Sequence, residues 1–166
     1  MLSKLRSRRD RSALVKQLCA DLTERARAPV FFLRLGVPDT LDGRFDLVAL
    51  HAWIVLDAVN TTQLVRQALI DELFLSFEEG LRGLGTGDLG MNRRLKIVAG
   101  AFYGRLQAYR SATNLDALAA AIYRNLYRGR PGLEEPARAI AVYALDAKLC
   151  VTAANGRLDF GPLPLI

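Results

Sequence analysis

Histidine and cysteine are almost missing from this 166-residue chain, which has one histidine, His51, and two cysteines, Cys19 and Cys150. The cysteines lie far apart with no CxxC or Cys/His spacing around either. Neither a disulfide framework nor a zinc site is therefore expected, and a reducing compartment fits best. His51 has Asp46 five residues before it and Asp57 six after. Neither is at the i,i+4 spacing of a helical dyad, and no serine or cysteine is placed as a nucleophile, so a structural or partner-facing histidine is expected. Long apolar runs are lacking too. The stretches Leu47 to Leu56 and Ile97 to Tyr103 fall well short of the ~20 residues that cross a bilayer. A soluble or peripheral protein is expected. Internal repeats, low-complexity segments and clear strand alternation are also absent.

The Arg-rich start is followed by Arg11, Lys16 and Asp21 where a secretory signal would carry an apolar core. An organelle transit peptide suits an Arg/Ser-rich start, but an amphipathic pattern begins by Leu14, so a cytoplasmic protein is expected. With 51% apolar and 24% charged residues, the chain is rich enough for one buried core. The net charge of +6 is unevenly placed. Residues 1–27 carry eight Lys/Arg against three Asp/Glu, residues 39–81 two against eight, and residues 82–130 nine against two.

Apolar residues recur at three and four, which predicts helices. One runs from Ser12 to Ala28, where Pro29 ends it, and a short turn surrounds Phe31 and Leu33. A helix over Arg44 to Asn60, with Asp42 as a candidate N-cap, is apolar almost all round, as a central helix would be. Thr61 or Thr62 caps an acidic helix to about Leu84. A basic helix from about Asp88 to Ser111, one from Leu115 to Tyr127 capped by Asn114, and one from Glu134 to about Ala153 complete the set. The fold class expected is all-α, a compact single-domain bundle of about six helices without a sheet. Residues 1–11 are expected as a basic N-terminal tail, 12–160 as the helical domain and 161–166 as a C-terminal tail.

Two features resemble ligand sites without matching one. Asp71-Glu72 and Glu78-Glu79 suggest magnesium binding as in all-helical isoprenoid enzymes, but adjacent carboxylates diverge by roughly 100° on a helix. The glycine-rich Gly83 to Gly90 segment follows a helix and lacks the GK[ST] of a phosphate loop, so a turn with Asp88 capping the next helix is preferred. No cofactor, metal or small-molecule substrate is expected.

The basic helix is the most informative segment. Arg94, Ile97 or Val98, Ala101, Arg105 and Tyr109 form one stripe, with Arg93, Lys96, Gly100 and Tyr103 or Gly104 beside it. Gly100 and Gly104 cost roughly 1 kcal/mol each in a helix interior, which suggests close packing there.

Gly85-Thr86-Gly87-Asp88-Leu89, Arg93-Arg94, Lys96, and Ala101-Phe102-Tyr103-Gly104-Arg105 with Tyr109 together resemble the signature of the ubiquinol-cytochrome c chaperone family. Leu35-Gly36-Val37-Pro38-Asp39-Thr40, Gly43-Arg44-Phe45-Asp46, Leu50-His51 and Gly156-Arg157-Leu158-Asp159-Phe160 are similar to its bacterial members. The resemblance implies a non-enzyme that binds newly synthesised cytochrome b during assembly of ubiquinol-cytochrome c reductase, at the cytoplasmic face of the inner membrane. It also implies a ribosome or anionic membrane nearby and a small companion factor. Arg93, Arg94, Lys96, Tyr103, Arg105 and Tyr109 are the expected partner-binding residues, and Asp88, Gly100 and Gly104 the structural ones. The basic block alone fits a helical RNA- or ribosome-binding module instead. The acidic helix alone fits an all-α enzyme of isoprenoid or quinone metabolism.

Overall fold

A computed structural model describes residues 2–164 except 61, 84, 86 and 155, and does not describe the side chains of residues 2–9, 88, 89, 153 and 154. Its order is α1 (Leu2–Ala26), α2 (Pro29–Leu33), α3 (Leu41–Ala58), α4 (Gln63–Gly83), α5 (Asp88–Arg110), α6 (Leu115–Leu126), α7 (Glu134–Cys150), β1 (Thr152–Ala154) and β2 (Arg157–Asp159). Six long helices and the single turn α2 make the all-α bundle. The antiparallel pairing of Ala153 with Leu158 adds a two-stranded ribbon at its edge. Helix α1 begins at Leu2, so residues 2–11, expected as a tail, are its first turns.

The apolar content of α3 decides the architecture. Twelve of its 18 residues are buried, Leu47 to Leu56 without interruption. Helices α1, α5, α6 and α7 all pack on α3, and α4 closes the far side against α1 and α5. Leu69 and Leu73 are the buried residues of α4, while Phe74 and Phe77 reach Phe102 of α5 and Phe77 reaches Phe45 of α3.

The helix starts follow capping chemistry. Asn114 Oδ1 accepts the backbone N–H of Ala117 at 2.8 Å, as expected. At α3 the cap is Thr40, whose Oγ1 accepts from Gly43 N at 3.2 Å, and Asp42 instead lies in the first turn, where its charge favours the helix dipole. Gly43 is required at this corner, because a Cβ there would lie 2.0 Å from Pro38 O.

His51 ties three helices together inside the core. Its Nδ1–H donates to Leu47 O at 2.7 Å, since a carbonyl can only accept. Nε2 therefore accepts from Tyr143 Oη on α7 at 2.8 Å, and that oxygen in turn accepts from Arg25 Nε on α1 at 2.9 Å. Arg25 also donates to the carbonyls of Gly161 and Pro162, which fastens the C-terminal segment over α1. Phe160 packs edge-on against the imidazole at 5.5 Å. Asp21 of α1 anchors the ribbon by accepting from Leu158 N at 2.9 Å and from Arg157. The start of the C-terminal tail is thus held against α1 through Gly161 and Pro162.

Burial lowers the His51 pKa from 6.5 to about 4; its bond to Leu47 opposes the shift and nearby Arg25 reinforces it. A depressed histidine pKa means that the unfolded chain takes up a proton near pH 6.5 while the folded chain refuses it until about pH 4. Stability should therefore fall between those limits as pH drops. The expected loss is about 1 kcal/mol between pH 7 and pH 5.5 in urea denaturation. His51→Gln should flatten that dependence, since the chain has no other histidine.

Candidate functional site

Helix α5 has one buried face and one exposed face. Inward lie Phe102, Leu106 and Tyr109, all buried in the core. Tyr109 is only 1% exposed and packs on Trp53 of α3 with ring centroids 5.7 Å apart. It is a core residue and not the surface anchor expected of it, because Trp53 supplies the partner that its apolar ring needs. Burial also pushes its phenol pKa well up.

Arg105 likewise turns inward. Its Nε–H pairs with Asp46, which is wholly buried on α3, while Arg128 Nη1 donates to the other carboxylate oxygen at 2.6 Å. The Arg105 guanidinium also lies 5.0 Å from the Phe45 ring centroid and donates to Ala101 O at 3.0 Å. Burial pushes the Asp46 carboxyl up, and the two guanidiniums pull it back towards its charged form. Arg105 is thus an internal clamp and does not present charge to a partner. Arg128 adopts a left-handed φ of 56°, unusual for a residue with a Cβ, in the turn after α6.

The outer face holds the remaining expected residues. Arg93, Arg94 and Lys96 are exposed, and among the described residues Arg93 and Lys96 have no acidic partner. Tyr103 is 51% exposed and stacks on Phe74 of α4 with centroids 6.3 Å apart. Ile97 is 63% exposed. Sequence periodicity places Ile97 or Val98 on one stripe with Arg94, Arg105 and Tyr109, and the structure exposes Ile97 beside Arg93 while burying Tyr109. Arg110, farther along, pairs with Asp57 at 2.8 Å.

Three structural expectations change. Gly87 occupies the N-cap of α5 and Asp88 is the first helical residue, its side chain lying outside the described set. Gly100 and Gly104 are exposed, and a Cβ at either would meet nothing within 4 Å, so close packing inside the bundle is not why they are there.

The acidic helix does not assemble a metal site. Asp71 is exposed and accepts from Gln67 at 2.8 Å, whereas Glu72 faces a groove of about 1090 Å³ between α1, α4 and the C-terminal segment, beside Cys19 and Ser76. Among the described residues no three metal-binding side chains converge, and no helix is long and apolar enough to cross a membrane.

Asp46→Asn should cost about 3–5 kcal/mol, because it leaves two guanidiniums against a neutral amide. Gly100→Ala and Gly104→Ala should each raise stability by roughly 0.5–1 kcal/mol, since both fill open space in a helix interior. Thermal and urea melts of the three variants check both expectations.

The family model for ubiquinol-cytochrome C chaperones matches residues 33–156, a span that contains Asp46, all of α5 and Arg128. The chain is similar to the crystal structure of the Cbp3 homolog from Brucella abortus, with 31% identity and a TM-score of 0.77, over 90% of this chain and 87% of that one. No curated protein gives a significant match. The chain belongs to the ubiquinol-cytochrome C chaperone family.

Proposed function

We propose that the protein holds newly synthesised cytochrome b while ubiquinol-cytochrome c reductase is assembled, working at the cytoplasmic face of the inner membrane. The observation that carries this reading is the family match together with the exposed basic face of α5. Arg93, Arg94, Lys96 and Tyr103 remain as the contact residues of that face, joined by Ile97, while Arg105 and Tyr109 position the helix from behind. A client still gaining its cofactors needs a holder that offers contacts and does no chemistry. His51 suits such a holder, because both its ring nitrogens are occupied by Leu47 and Tyr143 and it is closed off from any haem. A companion factor or the ribosome would meet the same complex from surfaces other than the buried clamp.

Tagged protein purified from its own cells should bring cytochrome b with it, and removal of the gene should leave the reductase unassembled. An eluate without cytochrome b, together with a fully assembled reductase in the deletion strain, would refute the reading. The double variant Arg93→Glu, Lys96→Glu should recover several-fold less client at unchanged melting temperature, since both side chains lie in solvent.

A further inference from the structure

Helix α4 sets an exposed leucine among carboxylates. Leu75 is 55% exposed. Residues three and four apart are neighbours on a helix surface, so Asp71, Glu72, Glu78 and Glu79 all border it. Glu78 pairs with Arg82 at 2.7 Å, and Asp71 accepts from Gln67. Among the described residues Asp71, Glu72 and Glu79 have no cationic partner. Arg66, the other cation of α4, stands about 180° round the helix from Leu75.

The start of α1 has the opposite character. The helix is unbroken from Leu2 to Ala26, and among its described side chains those packed inward begin at Leu14 and Val15. The turns before them, residues 2–11, hold five cations, Lys4, Arg6, Arg8, Arg9 and Arg11, against one acid, Asp10. Leu5 lies between Lys4 and Arg6, with Arg8 and Arg9 three and four residues on. One segment thus offers a leucine among cations and the other a leucine among carboxylates. They cannot meet within one chain. The Cys19 thiol is hydrogen-bonded with Ser76, the neighbour of Leu75, and Leu5 lies 14 residues earlier on the same helix, about 21 Å along its axis.

We infer that the first turns of α1 in one copy of the protein dock on the outer face of α4 in a second copy, around Leu75. The cations of residues 4–9 meet Asp71, Glu72 and Glu79, and Leu5 covers Leu75. A basic segment alone attracts any polyanion. Here the acidic half of the match belongs to the same chain, and that selects a second copy over nucleic acid or lipid. A two-fold pair seats both arms at once, each on the other's α4, so association closes at the dimer. The contact uses none of the α5 residues assigned to the client, and it stands or falls separately from that reading.

The test is sedimentation equilibrium of the full chain. In low salt it should show twice the monomer mass of 18.3 kDa. Raising the salt to about 0.5 M should return the monomer, because exposed charge pairs are screened. One variant, Asp71→Lys, Glu79→Lys, gives the α4 face the sign of the arm. A second, Arg6→Glu, Arg8→Glu, Arg9→Glu, gives the arm the sign of the face. Each should self-associate about tenfold more weakly while keeping the helical circular dichroism of the parent. Mixed in equal amounts, the two variants present a basic arm to an acidic face and an acidic arm to a basic face. A heterodimer should therefore form where neither homodimer does. A chain that stays monomeric in low salt, a dimer indifferent to the reversals or to deletion of residues 2–9, or a mixture that stays monomeric would overturn the proposal. So would arm-dependent binding of an RNA duplex or of phosphatidylglycerol vesicles by a chain that remains monomeric.

Discussion

Asp46 is a charge placed in the middle of the most apolar helix of the chain, and the packing around it follows from the need to compensate that charge. Moving a carboxylate from water into a protein interior costs several kcal/mol even after relaxation. Each of its oxygens therefore receives a guanidinium, Arg105 from α5 and Arg128 from the turn after α6. The left-handed backbone at Arg128 adds roughly 1–2 kcal/mol of strain, offset by the ion pair it makes possible. Such a triad contributes little net stability compared with an apolar replacement. Its effect is geometric, because a slip of α5 by one residue along α3 would carry Arg105 about 100° round the helix and strand a buried charge.

The same central helix carries a second polar residue, His51, five positions on from Asp46 and therefore about 140° round the axis. Asp46 thus faces α5 and α6, while His51 faces α7, with α1 reached through Tyr143 and Arg25. Apolar surface on α3 supplies the driving force for packing without fixing orientation, since Leu and Val contacts are interchangeable along a smooth stripe. The two polar residues supply the orientation, one for each half of the bundle. Arg25 extends the second arrangement to the carbonyls of Gly161 and Pro162, so the C-terminal segment is part of the same hydrogen-bonded chain.

The helices were legible in the sequence because their signals are local. The Asn114 cap, the α2 turn after Pro29 and the uniformly apolar α3 all appear where periodicity puts them. Family features were legible too, since the segments around Asp46 and Arg105 were both noted. What could not be read was that those segments meet, because the ion pair spans 59 residues of sequence and neither residue carries a local mark of its partner. For that reason Arg105 reads from the sequence as a surface cation, and the structure turns it inward. Residue type is a poor guide to exposure wherever a distant acid is buried. Tyr109 was misread in the same way, its phenol suggesting an interface while Trp53 had already claimed the ring.

Separating internal from external charge changes what the basic block means. Nine cations lie between residues 82 and 130, but Arg105 and Arg128 neutralise Asp46, and Arg110 pairs with Asp57. Of the other six, Arg82 pairs with Glu78, Arg93, Arg94 and Lys96 lie exposed on the N-terminal half of α5, and Arg124 and Arg130 lie exposed in α6 and the turn after it. One short signature then serves two ends. Its inward members, Phe102 and Arg105, fix the helix against α3 and α4, and its outward members, Tyr103 and Gly104, shape the face that is left. As the contact surface proposed above, a face on a helix clamped from behind would need no ordering when it meets its partner, so the entropy that a flexible basic loop would lose on binding is already lost on folding.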